Sequence, residues 1–218
     1  MGRSLSFCGV ILAAGESTRM GSDKALLLWP PTSRDPTSPA FSRQTFLSAA
    51  IEALNAYNDM VIVVVGKNEP HLAPVVYATG ASLVRNPAPE QGQFSSLQVG
   101  LREVLNRGRD AAMLTLVDRP PVKTATLESL RSTFEAAGDG IWAVVPECGG
   151  KHGHPIVVGR EMIEAFLKAP PNATARDIQH QYREHIEYAS VDDPFIASNV
   201  DTPQDYEALL SQNSPQPK

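Results

Sequence analysis

The chain has 218 residues, 42% hydrophobic and 20% charged, with a formal net charge of -5. That length allows one mid-sized domain with its own core, and the acidic balance excludes a surface that wraps nucleic acid, which needs clustered Lys and Arg. No apolar run is long enough to span a membrane, so an anion bound here is a small ligand held by a few placed cations and backbone N–H groups.

The first element is Phe7 to Leu12, an apolar run ending in Ala13-Ala14-Gly15. With Arg3 ahead of it, Leu5 to Ala14 has the outline of a short signal peptide, and Met1-Gly2 with Ser6 fits a loose myristoylation pattern. The run reads better as a buried first strand. Residues 29–43 hold Pro30, Pro31, Pro36 and Pro39 among polar residues and read as a loop insert. A helix is expected over Thr45 to Asn55, where Phe46, Ala49, Ala50, Ala53 and Leu54 make one apolar face. Strands follow at Met60 to Val65 and, more weakly, at Ala81 to Arg85. The next pair is a helix at Ser96 to Leu105 and a strand at Ala111 to Val117. Beyond them lie a helix at Thr126 to Ala137 and strands at Ile141 to Val145 and Pro155 to Val158. Glu161 to Leu167 and Ala175 to His180 read as helices, Ile186 to Val191 as a strand, and Gln204 to Leu210 as a last helix started by Thr202-Pro203.

Runs that are apolar throughout suit strands covered on both faces. Strands alternating with helices imply an α/β, three-layer Rossmann-like domain with a mostly parallel sheet over residues 1–210, followed by a flexible tail at 211–218. Ligands in such sheets sit beyond the carboxyl ends of the strands, so the loops after Leu12, Val65, Arg85 and Val117 should line one cleft. Cys8 and Cys148 are far apart and lack metal-ligand spacing, which suits a reducing, cytoplasmic setting. Asn172-Ala173-Thr174 fits a glycosylation acceptor, which has no meaning in that setting.

The strongest local signal runs from Leu12 to Lys24. A buried strand enters a loop with Gly15, Gly21, small residues, Arg19 and Lys24. Glycines let the backbone approach a phosphate, exposed N–H groups donate to it, and the two cations supply charge. The segment is neither a P-loop, because Ser22-Asp23-Lys24 follows Gly21, nor a dinucleotide fingerprint, because the G-x-G-x-x-G spacing is absent. An ordinary glycine turn with solvated charges is the competing reading.

Leu-Ala-Ala-Gly, then Ser-x-Arg-Met-Gly, then Lys resembles the leading motif of the MobA-like NTP transferases, typified by molybdenum cofactor guanylyl- and cytidylyltransferases. The resemblance continues in family order through Asn86-Pro87, Gln91 to Leu97, Asp118-Arg119-Pro120, Gly153-His154-Pro155, Ala175-Arg176 and Asp201-Thr202-Pro203. Arg119 departs from the Met or Gln more usual at its place, and would either add a cation near a metal or point away.

The resemblance implies a nucleotide-diphospho-sugar transferase type of fold. The reaction it implies is a magnesium-dependent transfer of a nucleoside monophosphate to a phosphorylated acceptor, with release of pyrophosphate. CTP is favoured as donor and the molybdopterin cofactor as acceptor, with a molybdoenzyme or its chaperone as a receiving partner. Leu12, Ala13, Ala14, Gly15, Arg19, Lys24, Asn86, Ser95 and Ser96 would hold the nucleotide. Arg19, Lys24 and Asp118 would be catalytic, Asp118 and Asp201 would bind Mg, with Asn199 near enough to share that duty, and His154 would touch the acceptor. Bland readings stand beside these: Asp201 and the two serines as helix caps, and His154 as a surface histidine. His152, His180 and His185 read as solvated. The rival functions are a guanylyltransferase using GTP, a cytidylyltransferase for a sugar or polyol phosphate, and a non-catalytic, chaperone-like module that binds the cofactor.

Overall fold

The computed structural model describes residues 5–29, 44–170 and 172–213. Alternation along β1 (Phe7–Leu12) decides the layering: Phe7 and Ile11 join the core on one face, and Cys8, Val10 and Leu12 join it on the other, as a period of two requires. The chain continues through α1 (Phe46–Asn55), β2 (Met60–Val65), α2 (Glu69–Ala78), β3 (Ser82–Arg85), α3 (Gln93–Asn106), β4 (Ala111–Leu116) and α4 (Thr124–Ala136). Its second half comprises β5 (Ala143–Cys148), β6 (Lys151–His152), β7 (Ile156–Gly159), α5 (Arg160–Lys168), α6 (Ala175–Gln181), β8 (Ile186–Ser190) and α7 (Pro203–Asn213).

The strands lie in the order β3-β2-β1-β4-β7-β5-β6, with β8 added to β5. β3, β2, β1 and β4 are mutually parallel, and β7 runs antiparallel to both β4 and β5. Leu47 and Ile51 of α1, Leu72 of α2 and Leu127 of α4 cover one face. Leu101 of α3, Phe166 of α5 and Ile178 of α6 cover the other. This is the three-layer α/β arrangement expected. A smaller cluster of Met20, Phe46, Val200, Tyr206 and Leu209 seats α7 against the loop after β1. Trp29 meets Phe46 and Phe195 edge-on there, with ring centroids 5.4 and 5.8 Å apart.

The structure corrects several expectations. α2 was not anticipated, because Pro70 and Pro74 interrupt its pattern. Pro70 sits in the first turn, where no N–H is needed, and burial of Leu72 and Val76 holds the helix despite Pro74 inside it. β8 is not covered on both faces: Ile186 and Ala189 are buried while Glu187, Tyr188 and Ser190 are exposed. β5 begins at Ala143, two residues later than read. α7 extends to Asn213, so the start of the expected tail is helical. The rest of that tail, most of the Pro-rich insert and residues 1–4 lie outside the described residues. Leu5 to Ala14, with its signal-like outline, contains the central strand β1. No helix among the described residues is long and apolar enough to cross a membrane. Cys8 is a small core residue whose thiol is pushed up to about 12, chiefly by burial.

One contact fixes how α3 approaches the sheet. A Cβ at Gly100 would lie 2.9 Å from methyl groups of both Val10 and Val64, so the helix rests directly on β1 and β2. Gly100→Val is therefore expected to destabilise the protein by about 1–3 kcal/mol through overpacking. The measurement is a urea titration, in which the midpoint falls and the slope stays unchanged.

Candidate active site

The loop after β1 is fixed at both ends. The Ala13 amide donates to the Val64 carbonyl at 2.8 Å, extending the ladder past the strand. The Asn68 amide group then donates to the Ala13 carbonyl and to the Asp23 carboxylate, both at 2.9 Å, so one side chain ties the entrance of the loop to its exit. A Cβ at Gly66 would fall 2.7 Å from the Ala14 carbonyl oxygen, which is why the end of β2 passes so closely beneath the loop. Between these anchors Ser17 takes a left-handed conformation, with φ +50, and Gly21 another, with φ +74. The Ser17 hydroxyl accepts from the Lys24 amide at 3.1 Å. Asp23 caps the short turn that begins at Lys24. Lys24 thus enters the cleft from a braced turn, and only 10% of its side chain is exposed.

Four charged side chains meet beyond the carboxyl ends of β1 and β4. The Lys24 ammonium lies 2.5 Å from Asp201 Oδ1 and 3.8 Å from Asp118 Oδ2. Arg19 Nη2 is 3.1 Å from the same Asp201 oxygen, and the Asn199 amide group donates to Asp201 Oδ2 at 2.7 Å. The backbone sets the frame: the Val117 amide donates to the Leu12 carbonyl, and the Val200 amide to the Asp118 carbonyl at 2.7 Å. The two carboxyls are tuned in opposite directions. Burial pushes Asp118 above the ordinary carboxylate range, against the pull of Lys24 and Arg119. The hydrogen bond from Lys24 holds Asp201 below it.

This donor set fits a hard divalent cation. Asp118 Oδ1 is buried with no hydrogen-bond partner among the described residues, and Asp201 shares its cation-facing side with Asp118. Among the described residues no three His, Cys, Asp or Glu groups converge. Two carboxylates without a third protein ligand suit Mg²⁺ or Mn²⁺, which fill their shells with water and phosphate oxygens, better than Zn²⁺. The helix-cap reading of Asp201 does not hold, because Thr202 and Asp205 cap α7 reciprocally.

Ser95 and Ser96 lie inside the first turn of α3, whose N-cap is Gly92, so they do not precede or cap the helix. Asn86 brackets them. Its amide group donates to the Ser95 and Ser96 hydroxyls at 2.8 and 2.9 Å, and its carbonyl oxygen accepts from the Ala88 amide. Asn86 is 2% exposed, behind the cleft wall rather than on it. Ser96 lines the cleft together with Gly92, Gln93 and Pro89, which the sequence reading had not singled out for binding. The cleft holds about 330 Å³ and is completed by Leu12, Ala14, Gly15, Thr18, Arg19, Lys24, Asp118 and Asp201. The loops after β1, β3 and β4 line it as expected. The loop after β2 supports it from below through Gly66 and Asn68.

A second cavity of about 420 Å³ adjoins the first, sharing Leu12, Gly92, Gln93 and Leu116 as walls. Phe94, Leu97, Leu114 and Ile156 make it apolar, and Gln91, Asn172, Gln179 and His154 add polar groups. His154 is no surface histidine. It lines this cavity, its Nδ1 is buried without a partner among the described residues, and its pKa is lowered to about 3, first by burial and then by Arg119. It is neutral at pH 7. The residue before it has to be glycine, since a Cβ on Gly153 would fall 1.9 Å from the Ile196 carbonyl oxygen. Arg119 donates to the backbone carbonyls of Ile196 and Ser198, while Asp118 and Asp201 act on its charge. Ala175 reaches the second cavity, whereas Arg176 is exposed on the far side of α6. Among the other histidines, His152 and His180 are exposed, but His185 is half-buried and stacked on Trp142 at 3.8 Å.

A mostly parallel α/β sheet whose first strand feeds a glycine loop, with two cations and two carboxylates at its carboxyl edge, defines a nucleotidyltransferase. The chain belongs to the MobA-like NTP transferase domain family, whose model matches residues 9–186. The molybdenum cofactor cytidylyltransferase of Escherichia coli (strain K12) is 27% identical over 202 residues, 90% of this chain and 92% of that protein. A probable molybdenum cofactor guanylyltransferase of Rhodopirellula baltica is 31% identical over 122 residues, 56% of this chain and 53% of that protein. A structure of Rv0371c from Mycobacterium tuberculosis H37Rv, solved as a complex with manganese, superposes with a TM-score of 0.72 at 25% identity, covering 94% of this chain and 98% of that one.

The upward shift of Asp118 has a consequence for stability. A carboxyl whose folded pKa lies above its ordinary 3.8 destabilises the folded state whenever it is ionised. Asp118→Asn is therefore expected to raise the unfolding midpoint at pH 7. The gain should shrink to nothing as pH falls below 3.8 and both states hold the proton. Thermal unfolding of the two proteins across pH 3–7 checks this.

Proposed function

We propose that this protein transfers CMP from CTP to the terminal phosphate of the molybdopterin cofactor, with Mg²⁺, and releases pyrophosphate. One observation carries the reading: a charged cleft and an apolar cavity adjoin, sharing Leu12, Gly92, Gln93 and Leu116 in their linings. The first suits a triphosphate and a cation. The second suits a flat heterocycle whose polar edge meets amide groups and a neutral imidazole. The E. coli relative, matched over nearly its whole length, supports both the base and the acceptor. Ala13-Ala14-Gly15 and Asp201-Thr202-Pro203 lean the same way, since the guanylyl branch usually has Leu-Ala-Gly-Gly and Asn-Thr-Pro there. The manganese complex of the mycobacterial structure supports a divalent cation.

In this reading Arg19 and Lys24 exchange the Asp201 carboxylate for the β- and γ-phosphates, which leaves Asp118 and Asp201 to hold the cation. Mg²⁺ there would neutralise charge developing on the phosphates. Ala14, Gly15 and Ser96 line the cleft around the nucleotide, and His154 presents its free nitrogen to the acceptor. An acceptor phosphate oxygen bonds to the α-phosphorus in line as the bond to the β-phosphate oxygen breaks. No base is needed, because a phosphomonoester with a second pKa of about 6 is already ionised. Catalysis is positioning and charge stabilisation.

The test is nucleotide-dependent thermal stabilisation with Mg²⁺, followed by CMP transfer and pyrophosphate release with the molybdopterin cofactor as acceptor. CTP at a hundred times its Kd should add about 2.7 kcal/mol of stability, more than GTP, UTP or ATP, and the effect should vanish in Asp118→Ala. Lys24→Met should lower kcat by roughly 10²–10³, the range for losing one charge-stabilising donor. A larger effect from GTP would transfer the reading to the guanylyl branch. Binding without turnover would favour the chaperone-like module.

A further inference from the structure

The segment that leads from β8 to Asn199 and Asp201 is strapped to the loop after β4 at three places. The fully buried Asp193 carboxylate accepts from the Lys123 and Phe195 amides at 2.7 and 3.1 Å and from the Thr126 hydroxyl at 2.8 Å. The Val200 amide donates to the Asp118 carbonyl at 2.7 Å. The third strap is Arg119, whose Nη1 donates to the carbonyls of Ile196 and Ser198 at 3.2 and 3.3 Å. The Ile196 carbonyl also accepts from the His154 amide at 2.9 Å, so one atom ties the turn to Arg119 and to the wall of the second cavity.

Arg119 does more than fill space. Arg119 is half-buried, and its Nε is buried with no hydrogen-bond partner among the described residues. Such a cation costs desolvation energy and persists only beside compensating charge. The charges that act on it are Asp118 and Asp201. The acidic pair therefore has two cations with different freedoms. Lys24 is held by the carboxylates and can follow an incoming phosphate. Arg119 is anchored to two backbone carbonyls and stays. Its fixed charge and the two hydrogens on Nη1 suit such a double anchor.

Resting on the function proposed above, we infer that Arg119 is a positioning residue: it holds the Ile196–Ser198 turn so that Asn199 and Asp201 face Asp118 at the spacing a divalent cation requires. Neighbours that orient a metal ligand commonly change metal affinity or activity by about 10–100-fold when removed.

The test compares the full-length protein with Arg119→Met and Arg119→Lys by two readouts. One is hydrogen exchange at the Val200 amide. The other is Mn²⁺ titration followed by electron paramagnetic resonance with CTP or GTP present. Arg119→Met should exchange at Val200 about tenfold faster, as expected for loss of roughly one net hydrogen bond. It should also bind Mn²⁺ about tenfold or more weakly. Arg119→Lys, which keeps the charge and a donor for one carbonyl, should recover most of both. If Arg119→Met does not fold, Arg119→Gln, neutral but polar, replaces it with the same expectations. Wild-type exchange at Val200, or wild-type Mn²⁺ affinity, in a folded neutral variant would overturn the inference. Wild-type protein that binds no Mn²⁺ with either triphosphate would overturn the proposed function instead, and exchange at Val200 would then decide whether Arg119 holds the turn.

Discussion

Two carboxylates face one ammonium at the carboxyl edge of the sheet, and the surrounding structure is arranged around that contact. Asp118 and Asp201 are 83 positions apart in the sequence, and like charges repel. They share a site because Lys24 stands between them and because backbone hydrogen bonds hold their segments together regardless of charge. The sheet delivers Asp118 at the end of β4 and the braced loop delivers Lys24. The segment entering α7 delivers Asp201, through a cluster in which Val200 and Tyr206 meet Met20 and Phe46.

The elements that could be read from the sequence were those whose signal is local. β1, β2 and β4 are apolar runs wholly explained by burial on both faces. The charged residues that follow such runs, Arg19, Lys24 and Asp118, were legible because parallel sheets open at their carboxyl ends. What stayed hidden depends on distant partners. Asn68 joins two ends of a loop 45 and 55 residues away, and no spacing announces that. Asn86 looked like a ligand contact and is a buried bracket, since an amide that satisfies three groups at once resembles any other asparagine in sequence. Ser95 and Ser96 were misread as caps because Gly92, with φ +94, starts the helix without a side-chain hydrogen bond. α2 was missed because Pro74 falls inside it, where proline reads as a break.

An acidic protein that handles a polyanionic ligand has to concentrate its positive charge. Asp201 and Asp118 together offset the charge of Arg19 and Lys24 in the structure, so the cleft presents no large excess of cation to non-specific anions. The adjoining cavity is chemically separate. Its one titratable group lining the wall, His154, is held neutral by burial, and its other polar groups are amides and hydroxyls. In the proposed function, charge on one side and shape on the other would divide the recognition of two substrates between two adjoining spaces.

The residues on either side of the segment 30–43 are joined to each other. Leu28 bridges Thr45, and the Trp29 amide donates to the Gln44 carbonyl at 2.8 Å. A loop closed at its base can grow at little cost, about 0.6 kcal/mol for each doubling of length. Its base also leans on α7, since the Tyr206 hydroxyl donates to the Leu28 carbonyl. Those two properties make the position a natural port for a genetically inserted fluorescent reporter, with a base mechanically coupled to the helix that follows Asp201.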